Sequence, residues 1–223
     1  MNYLTHYLVD HKKDKPLYNF GLALPDLVNV SQRGWKTSKE NTFYTSSNHV
    51  KEIWEGYQQH LIADAAFHNI PLFTTHSKRI RMELEKAGLS APGVRLFFAA
   101  HVLLEMLIDR HIVKTRKPMV DEFYNDINFV NEPVINSFFV ESGTQMPPNF
   151  LEFFNRFRES KYLFEYEKDS GLFYSLNRLL GRAKQPAYTT EEQREAFYNL
   201  VHKEEAFLEG EIEEFFTEMG VNN

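Results

Sequence analysis

Apolar residues recur at intervals of three and four along most of this chain, which is the spacing of one face of an α-helix. Asn-Gly and Asp-Gly pairs, which mark tight hairpins between strands, do not occur. We therefore predict an all-α fold, with a single compact multi-helix domain over residues 1–223. The predicted helical segments are residues 2–10, 49–69, 72–87, a long helix opened by Pro92, 121–139, 149–180 and a last helix from Thr190.

Breaks in this periodicity predict where the helices begin and end. The charged stretch HKKDKP separates the first apolar segment from LYNFGLALPDLVN, which is expected to be a broken helix or a helix start. The polar residues 35–47 predict an exposed loop. The residues that mark the remaining boundaries are Gly21 and Pro25 inside the second segment, Pro71 at the end of the third, Gly88 as a C-cap, and Thr190 with Gln193 as a capping box.

Two helices carry metal-capable side chains four residues apart. His60, Asp64 and His68 share one helical face, because each step of four rotates the position by only about 40°. In the long helix FFAAHVLLEMLIDRHIV, the residues His101, Glu105 and Asp109 repeat that spacing inside an apolar run. Burying an ionised carboxylate without a partner costs several kcal/mol, so this second stripe requires compensation. A bound cation would supply it.

Two further candidates stand alone in apolar segments, His6 in MNYLTHYLV and Asp26 in FGLALPDLV. The chain has no cysteine, so any metal must be held by imidazole and carboxylate groups, which suit Mn²⁺, Fe²⁺ or Zn²⁺. We predict two such ions, with Asp64 as a bridging carboxylate. The alternatives are a hydrogen-bonded core histidine and an ordinary solvated helix edge. The predicted metal ligands are His6, Asp26, His60, Asp64, His68, His101 and Glu105, and the predicted proton donor is Asp109 or His111.

Composition and charge exclude several other functions. The formal charge of −6 argues against a general nucleic-acid-binding protein. Neither a phosphate-binding Gly-rich loop nor a G-x-S-x-G elbow is present, which removes support for nucleotide binding through a P-loop and for serine hydrolysis. The polar start of the chain does not resemble a signal peptide, and no apolar run approaches about 20 residues. We therefore expect a cytoplasmic protein without a membrane span.

Four stretches of the chain resemble bacterial acyl carrier protein phosphodiesterase, namely MNYLTH, GLALPD, GYQQHLIAD with its NIP, and DRH. The resemblance covers residues 1–115, the metal-site half, and leaves residues 116–223 as an aromatic-rich helical half. It implies an HD-like helical hydrolase that uses Mn²⁺ to remove the 4′-phosphopantetheine arm from holo acyl carrier protein. It also implies metal roles for His6, Asp26, His60 and Asp64, and a place in lipid biosynthesis.

This chain departs from the family pattern at the remaining candidates. His68 stands where the family has an aspartate, and His101 with Glu105 replaces a pair of aspartates. The order H-x-x-x-D then H-x-x-x-E is also similar to the zinc-dependent phospholipase C and nuclease group, a second helical phosphodiesterase class. A third hypothesis is a non-catalytic helical scaffold, in which these side chains form a buried polar network without metal.

An acyl carrier protein is acidic, so its docking surface should be basic. Two clusters, HSKRIRMELEK and DRHIVKTRK, provide candidate contacts, although ordinary solvated helix faces explain them equally well. The aromatic stretch NFLEFFNRFRESKYLFEYEKDSGLFYSL either lines a groove for the pantetheine arm or an acyl chain, or packs in the core. The predicted docking residues are Lys78, Arg79, Arg81, Arg110, Lys114, Arg116 and Lys117.

Overall fold

The computed structural model describes residues 2–32, 34–35 and 45–221. Every regular element in this part of the chain is a helix, which confirms the all-α prediction. None of these helices is long and apolar enough to cross a membrane. The elements are α1 (Tyr3–Asp10), α2 (Pro16–Ser31), α3 (Asn48–Phe67), α4 (Pro71–Lys86), α5 (Leu96–Thr115), α6 (Lys117–Phe129), α7 (Glu132–Glu141), α8 (Phe150–Ser160), a 3-10 helix (Tyr162–Glu167), α9 (Asp169–Arg182) and α10 (Glu191–Glu218).

Two long predicted helices are each divided in the structure. Residues 121–139 split between α6 and α7 because Asn131 caps a new helix, its side chain accepting a hydrogen bond from the Val134 N–H at 3.1 Å. A proline in the first turn of α7 also prevents the backbone ladder from continuing. Residues 149–180 split at Lys161, which has a left-handed backbone with φ of +46° and ends α8.

Several predicted helix ends are confirmed. Thr190 and Gln193 form the capping box of α10, and Gly88 has the positive φ of +71° expected after a helix. Pro71 opens α4, one short turn after α3 has ended. The second segment is one helix, α2, which contains Pro25 within its length.

The predicted loop over residues 35–47 is only partly testable, because residues 36–44 lie outside the described residues. At its first position the prediction is wrong, because Trp35 is buried. Its ring packs edge-on against Tyr57 and Phe139, with centroids 6.0 and 5.5 Å away. The loop was predicted from the polar residues that follow Trp35 in the sequence, and these gave no sign that Trp35 itself is buried.

The chain forms two compact units, and each combines segments from both halves of the sequence. Unit 1 consists of Met1–Ala65 with Lys117–Tyr162, and unit 2 consists of Ala66–Arg116 with Leu163–Asn223. One of the boundaries lies a single residue after the predicted division at 115/116. Neither unit coincides with the metal-site half or the aromatic half.

In unit 1, α2 and α3 approach until their backbones touch. A Cβ atom added at Gly21 would lie 2.3 Å from the carbonyl oxygen of Ile53, and one added at Gly56 would lie 2.0 Å from that of Tyr18. Glycine is the only residue that permits this contact. Phe150, Phe154 and Phe157 of α8 are almost fully buried in the core of the unit, as the packing alternative predicted.

In unit 2, α10 packs along α4, α5 and α9. The contact is unusually rich in charge, because carboxylates of α10 face cations of α4 and α5. Glu204 is fully buried and accepts two hydrogen bonds from Arg79. The buried Arg110 pairs with Asp169 and Glu205, each at 2.7 Å.

Candidate metal-binding site

The first donor group lies in unit 1 and joins three helices. His6 of α1, Asp26 of α2 and His60 of α3 each offer one ligand atom, and these atoms lie within 4.8 Å of one another. The two imidazole rings stack, with centroids 3.8 Å apart and planes 23° from parallel. His60 Nε2 lies 4.0 Å from Asp26 Oδ1. The fold therefore brings together three residues that were predicted as metal ligands and that lie far apart in the sequence.

One hydrogen bond fixes the chemical form of His60. Its Nδ1 lies 2.7 Å from the backbone carbonyl oxygen of Leu22, which can only accept. The proton of the neutral ring therefore sits on Nδ1, which leaves a lone pair on Nε2, the atom 4.0 Å from Asp26 Oδ1. Metal-binding histidines are commonly oriented by such a bond from the opposite ring nitrogen. The spacing of residues in the sequence gave no indication that the Leu22 carbonyl orients His60.

Asp64 accompanies this group without belonging to it. Its Oδ1 lies 4.0 Å from His6 Nε2, and its side chain is about one-third exposed, whereas His6 is fully buried. The predicted bridging role of Asp64 stays a prediction. Of the predicted stripe, His60 belongs to the group in unit 1 and His68 to a different group in unit 2.

The second donor group lies in unit 2 and is much tighter. His68 follows α3, while His101 and Glu105 lie one turn apart on α5. His101 Nε2 lies 3.1 Å from both His68 Nε2 and Glu105 Oε1, and the third side of this triangle, from His68 Nε2 to Glu105 Oε1, is 3.4 Å. The side chains are 29%, 38% and 15% exposed, so solvent reaches all three.

The surroundings of this triangle hold its members in place. The ring of Phe73 meets both imidazoles nearly perpendicularly, with centroids 4.7 Å from His68 and 4.9 Å from His101. Although burial opposes ionisation, the pKa of Glu105 is held well below its usual range, in part by hydrogen bonds from the two histidines. Sequence reasoning missed Phe73, since one more phenylalanine on an apolar helix face carries no distinguishing signal.

The two residues proposed as proton donors have other surroundings. Asp109 is completely buried on α5, and His111 pairs with Glu213 of α10. Neither belongs to the donor groups found among the described residues.

Most of the basic residues predicted to form the docking surface make ion pairs within the chain. Arg79, Arg110, Lys114 and Arg116 all form ion pairs with carboxylates of α9 or α10, so their charge is neutralised by the protein itself. Lys78 and Arg81 are exposed on α4, and Lys117 is exposed at the start of α6. The sequence could not show this, because the compensating carboxylates lie about 100 residues further along the chain.

We expect one of these pairs to make stability sensitive to acid. The hydrogen bond from Arg116 lowers the pKa of Glu213 to about 2 against the opposing effect of burial, with a further contribution from His111. Such a group stabilises the fold above its unfolded pKa of about 4.3, and this contribution disappears as the pH falls towards the folded value. In urea unfolding, Glu213→Gln should be less stable than the parent at neutral pH, and the gap should close as the pH falls from about 4.3 to 2. A gap independent of pH would contradict this assignment.

Comparison of the sequence with protein-family models finds no match, and comparisons with curated proteins and with solved structures find none either.

Proposed function

We propose that this protein is a divalent-metal-dependent hydrolase that cleaves a phosphodiester bond. The observation that carries the proposal is the triangle of His68 Nε2, His101 Nε2 and Glu105 Oε1, whose sides of 3.1 to 3.4 Å bring three ligand atoms to one point. The second donor group, in unit 1, adds His6, Asp26 and His60. All six residues are among those predicted as ligands from the sequence.

A divalent ion held by such groups lowers the pKa of a bound water and neutralises charge on a phosphoryl oxygen. The residues of the chain prepare both groups for this role. The Leu22 carbonyl holds His60 in the tautomer that leaves Nε2 as a lone-pair donor, and Glu105 remains ionised at neutral pH. Partial exposure of His68 and His101 gives water and substrate access to their group.

The resemblance favours holo acyl carrier protein as the substrate. The four residues that carry it, His6, Asp26, His60 and Asp64, lie together in unit 1, as a shared metal-binding role requires. Hydrolysis would add water across the phosphorus–oxygen bond on the carrier side. 4′-Phosphopantetheine would leave as a phosphomonoester, and the carrier protein would keep a free hydroxyl group.

A smaller phosphodiester is the second candidate, as in the phospholipase C and nuclease group. It is favoured by the ion pairs of Arg79, Arg110, Lys114 and Arg116, which leave little of the predicted basic docking surface for an acidic protein. A small substrate needs no such surface.

The experiment combines metal analysis with two assays. Holo acyl carrier protein is monitored by mass spectrometry for loss of its arm, and bis(4-nitrophenyl) phosphate serves as the small substrate. We expect hydrolysis of at least one substrate by the parent, and none after treatment with a chelator or in the double variant His60→Ala, Asp64→Ala. His202→Gln is the matched control, because that histidine is exposed and pairs with Asp169 outside both donor groups.

The outcomes separate the hypotheses. Loss of the arm supports the carrier-protein reaction, and cleavage of the small ester alone supports the second candidate. No cleavage of either substrate, with stability unchanged by the chelator, would overturn the proposal and leave the scaffold hypothesis.

A further inference from the structure

We infer that the group formed by His68, His101 and Glu105 is a zinc site, and that it binds the ion before the group in unit 1 does. The inference deepens the proposed function by naming the ion and the group that holds it most tightly. It concerns metal binding, so it is tested without reference to turnover.

Hydrogen bonds alone cannot account for the three contacts of the triangle. Each ring nitrogen carries either a proton or a lone pair, and a carboxylate oxygen accepts hydrogen bonds. If both imidazoles donate to Glu105, their two Nε2–H groups face each other across 3.1 Å. If only one donates, the remaining nitrogen contributes a lone pair to a contact that has no proton. The three contacts therefore cannot all be ordinary hydrogen bonds, whereas a cation at the centre satisfies three lone pairs at once.

The size of the triangle fits a bound zinc ion. Nitrogen and oxygen ligands lie roughly 2.0–2.2 Å from zinc, so the edge of a tetrahedron of such ligands is about 3.3–3.6 Å. The observed sides of 3.1, 3.1 and 3.4 Å match this edge within the tolerance of about 0.2 Å expected for a real site. An ion can therefore enter without moving the side chains apart.

The group in unit 1 has the same types of ligand but a looser arrangement. Its His60 Nε2 and Asp26 Oδ1 are 4.0 Å apart, which is longer than any side of the triangle of His68, His101 and Glu105. These atoms must draw together before they share one ion, and that rearrangement costs binding energy. Because the two groups have the same types of ligand, this difference in geometry predicts that the triangle in unit 2 binds the ion first.

The chemistry of the three ligands also favours zinc. Two imidazoles and one carboxylate suit zinc better than magnesium or manganese, which prefer oxygen. For a given set of ligands, affinity also rises from Mn²⁺ through Fe²⁺ to Zn²⁺. Two histidines and a glutamate with solvent access form the pattern of a catalytic zinc rather than of a closed structural one.

Metal competition tests the inference directly. Metal-free parent protein is mixed with one equivalent each of Zn²⁺, Mn²⁺ and Mg²⁺, and the bound ions are measured by elemental analysis after gel filtration. We expect one equivalent of zinc in the parent, in His6→Gln and in the control His202→Gln. We expect its loss when His101→Gln or Glu105→Gln is combined with His6→Gln, because the group in unit 1 could otherwise take up the displaced ion. Circular dichroism shows which variants fold. If one of them does not fold, His68→Gln is used in its place, because His68 lies outside the helices.

Three results would overturn the inference. They are manganese or magnesium bound in preference to zinc, zinc retained when His101→Gln or Glu105→Gln is combined with His6→Gln, and loss of the first zinc equivalent in His6→Gln alone. Failure of the proposed function looks different: zinc binds as described while neither phosphodiester is hydrolysed. Hydrolysis supported by manganese, with no zinc at this group, would leave the function standing and remove the inference.

Discussion

Substitution of Gly56 by alanine should destabilise the protein by about 3 kcal/mol or more, the range of severe overpacking. The added methyl group would lie 2.0 Å from the carbonyl oxygen of Tyr18, which belongs to the backbone of α2 and cannot rotate away. The helices must therefore separate. Because α2 carries Asp26 and α3 carries His60, separation also widens the donor group in unit 1. Urea unfolding measures the stability loss.

Gly210→Ala is the matched control for this prediction. Gly210 lies inside α10, and a Cβ atom added there meets nothing within 4 Å. Alanine is favoured over glycine inside a helix, so this variant should gain roughly 0.5–1 kcal/mol. If both variants change stability by the same small amount, the close contact between α2 and α3 is not present in solution.

Replacement of Arg79 by methionine should cost about 3–5 kcal/mol, the range measured when one partner of a buried ion pair is removed. Glu204 is fully buried, and Arg79 donates to its Oε2 from Nε at 2.9 Å and from Nη2 at 2.6 Å. The guanidinium also stacks on Phe207, 4.0 Å from the ring centroid. Without Arg79, the fold must bury an uncompensated carboxylate at Glu204. The measurement is urea unfolding at neutral pH.

Two further variants test this explanation. The double variant Arg79→Met, Glu204→Met should recover most of the loss, since a matched apolar pair removes the uncompensated charge. Arg156→Met breaks the exposed pair with Glu152 and should change stability by less than about 1 kcal/mol. Equal losses in the single and double variants would show that packing of the arginine stem, rather than charge, holds α4 to α10.

Helix content was predictable because the signal is local. A period of three to four is visible in any short window, and the capping box of Thr190 with Gln193 lies within four residues. The helix boundaries that were predicted wrongly are those at which two local signals compete. At Asn131, a side-chain cap outweighed the apolar periodicity that continues through residues 121–139.

The sequence allowed the residues of the candidate site to be predicted, but not how they divide into two groups. Polar groups inside apolar segments indicated His6, Asp26, His101 and Glu105, because burial of such groups demands a partner. A stripe on one helix shows a shared face but not what each member meets, so it could not assign His60 and His68 to different groups. Contacts between distant segments, such as that of Gly21 with α3, depend on the whole fold and carry no local signal.

The position of Trp35 has a practical consequence for experiments on this protein. The chain has two tryptophans, and the other one, Trp54, stacks on Tyr57, which Trp35 also contacts. Both belong to unit 1. Intrinsic tryptophan emission therefore reports the melting of that unit, whereas far-ultraviolet dichroism reports helices of both. Unfolding curves that coincide by the two probes would indicate a single cooperative transition, and curves that separate would give each unit its own midpoint.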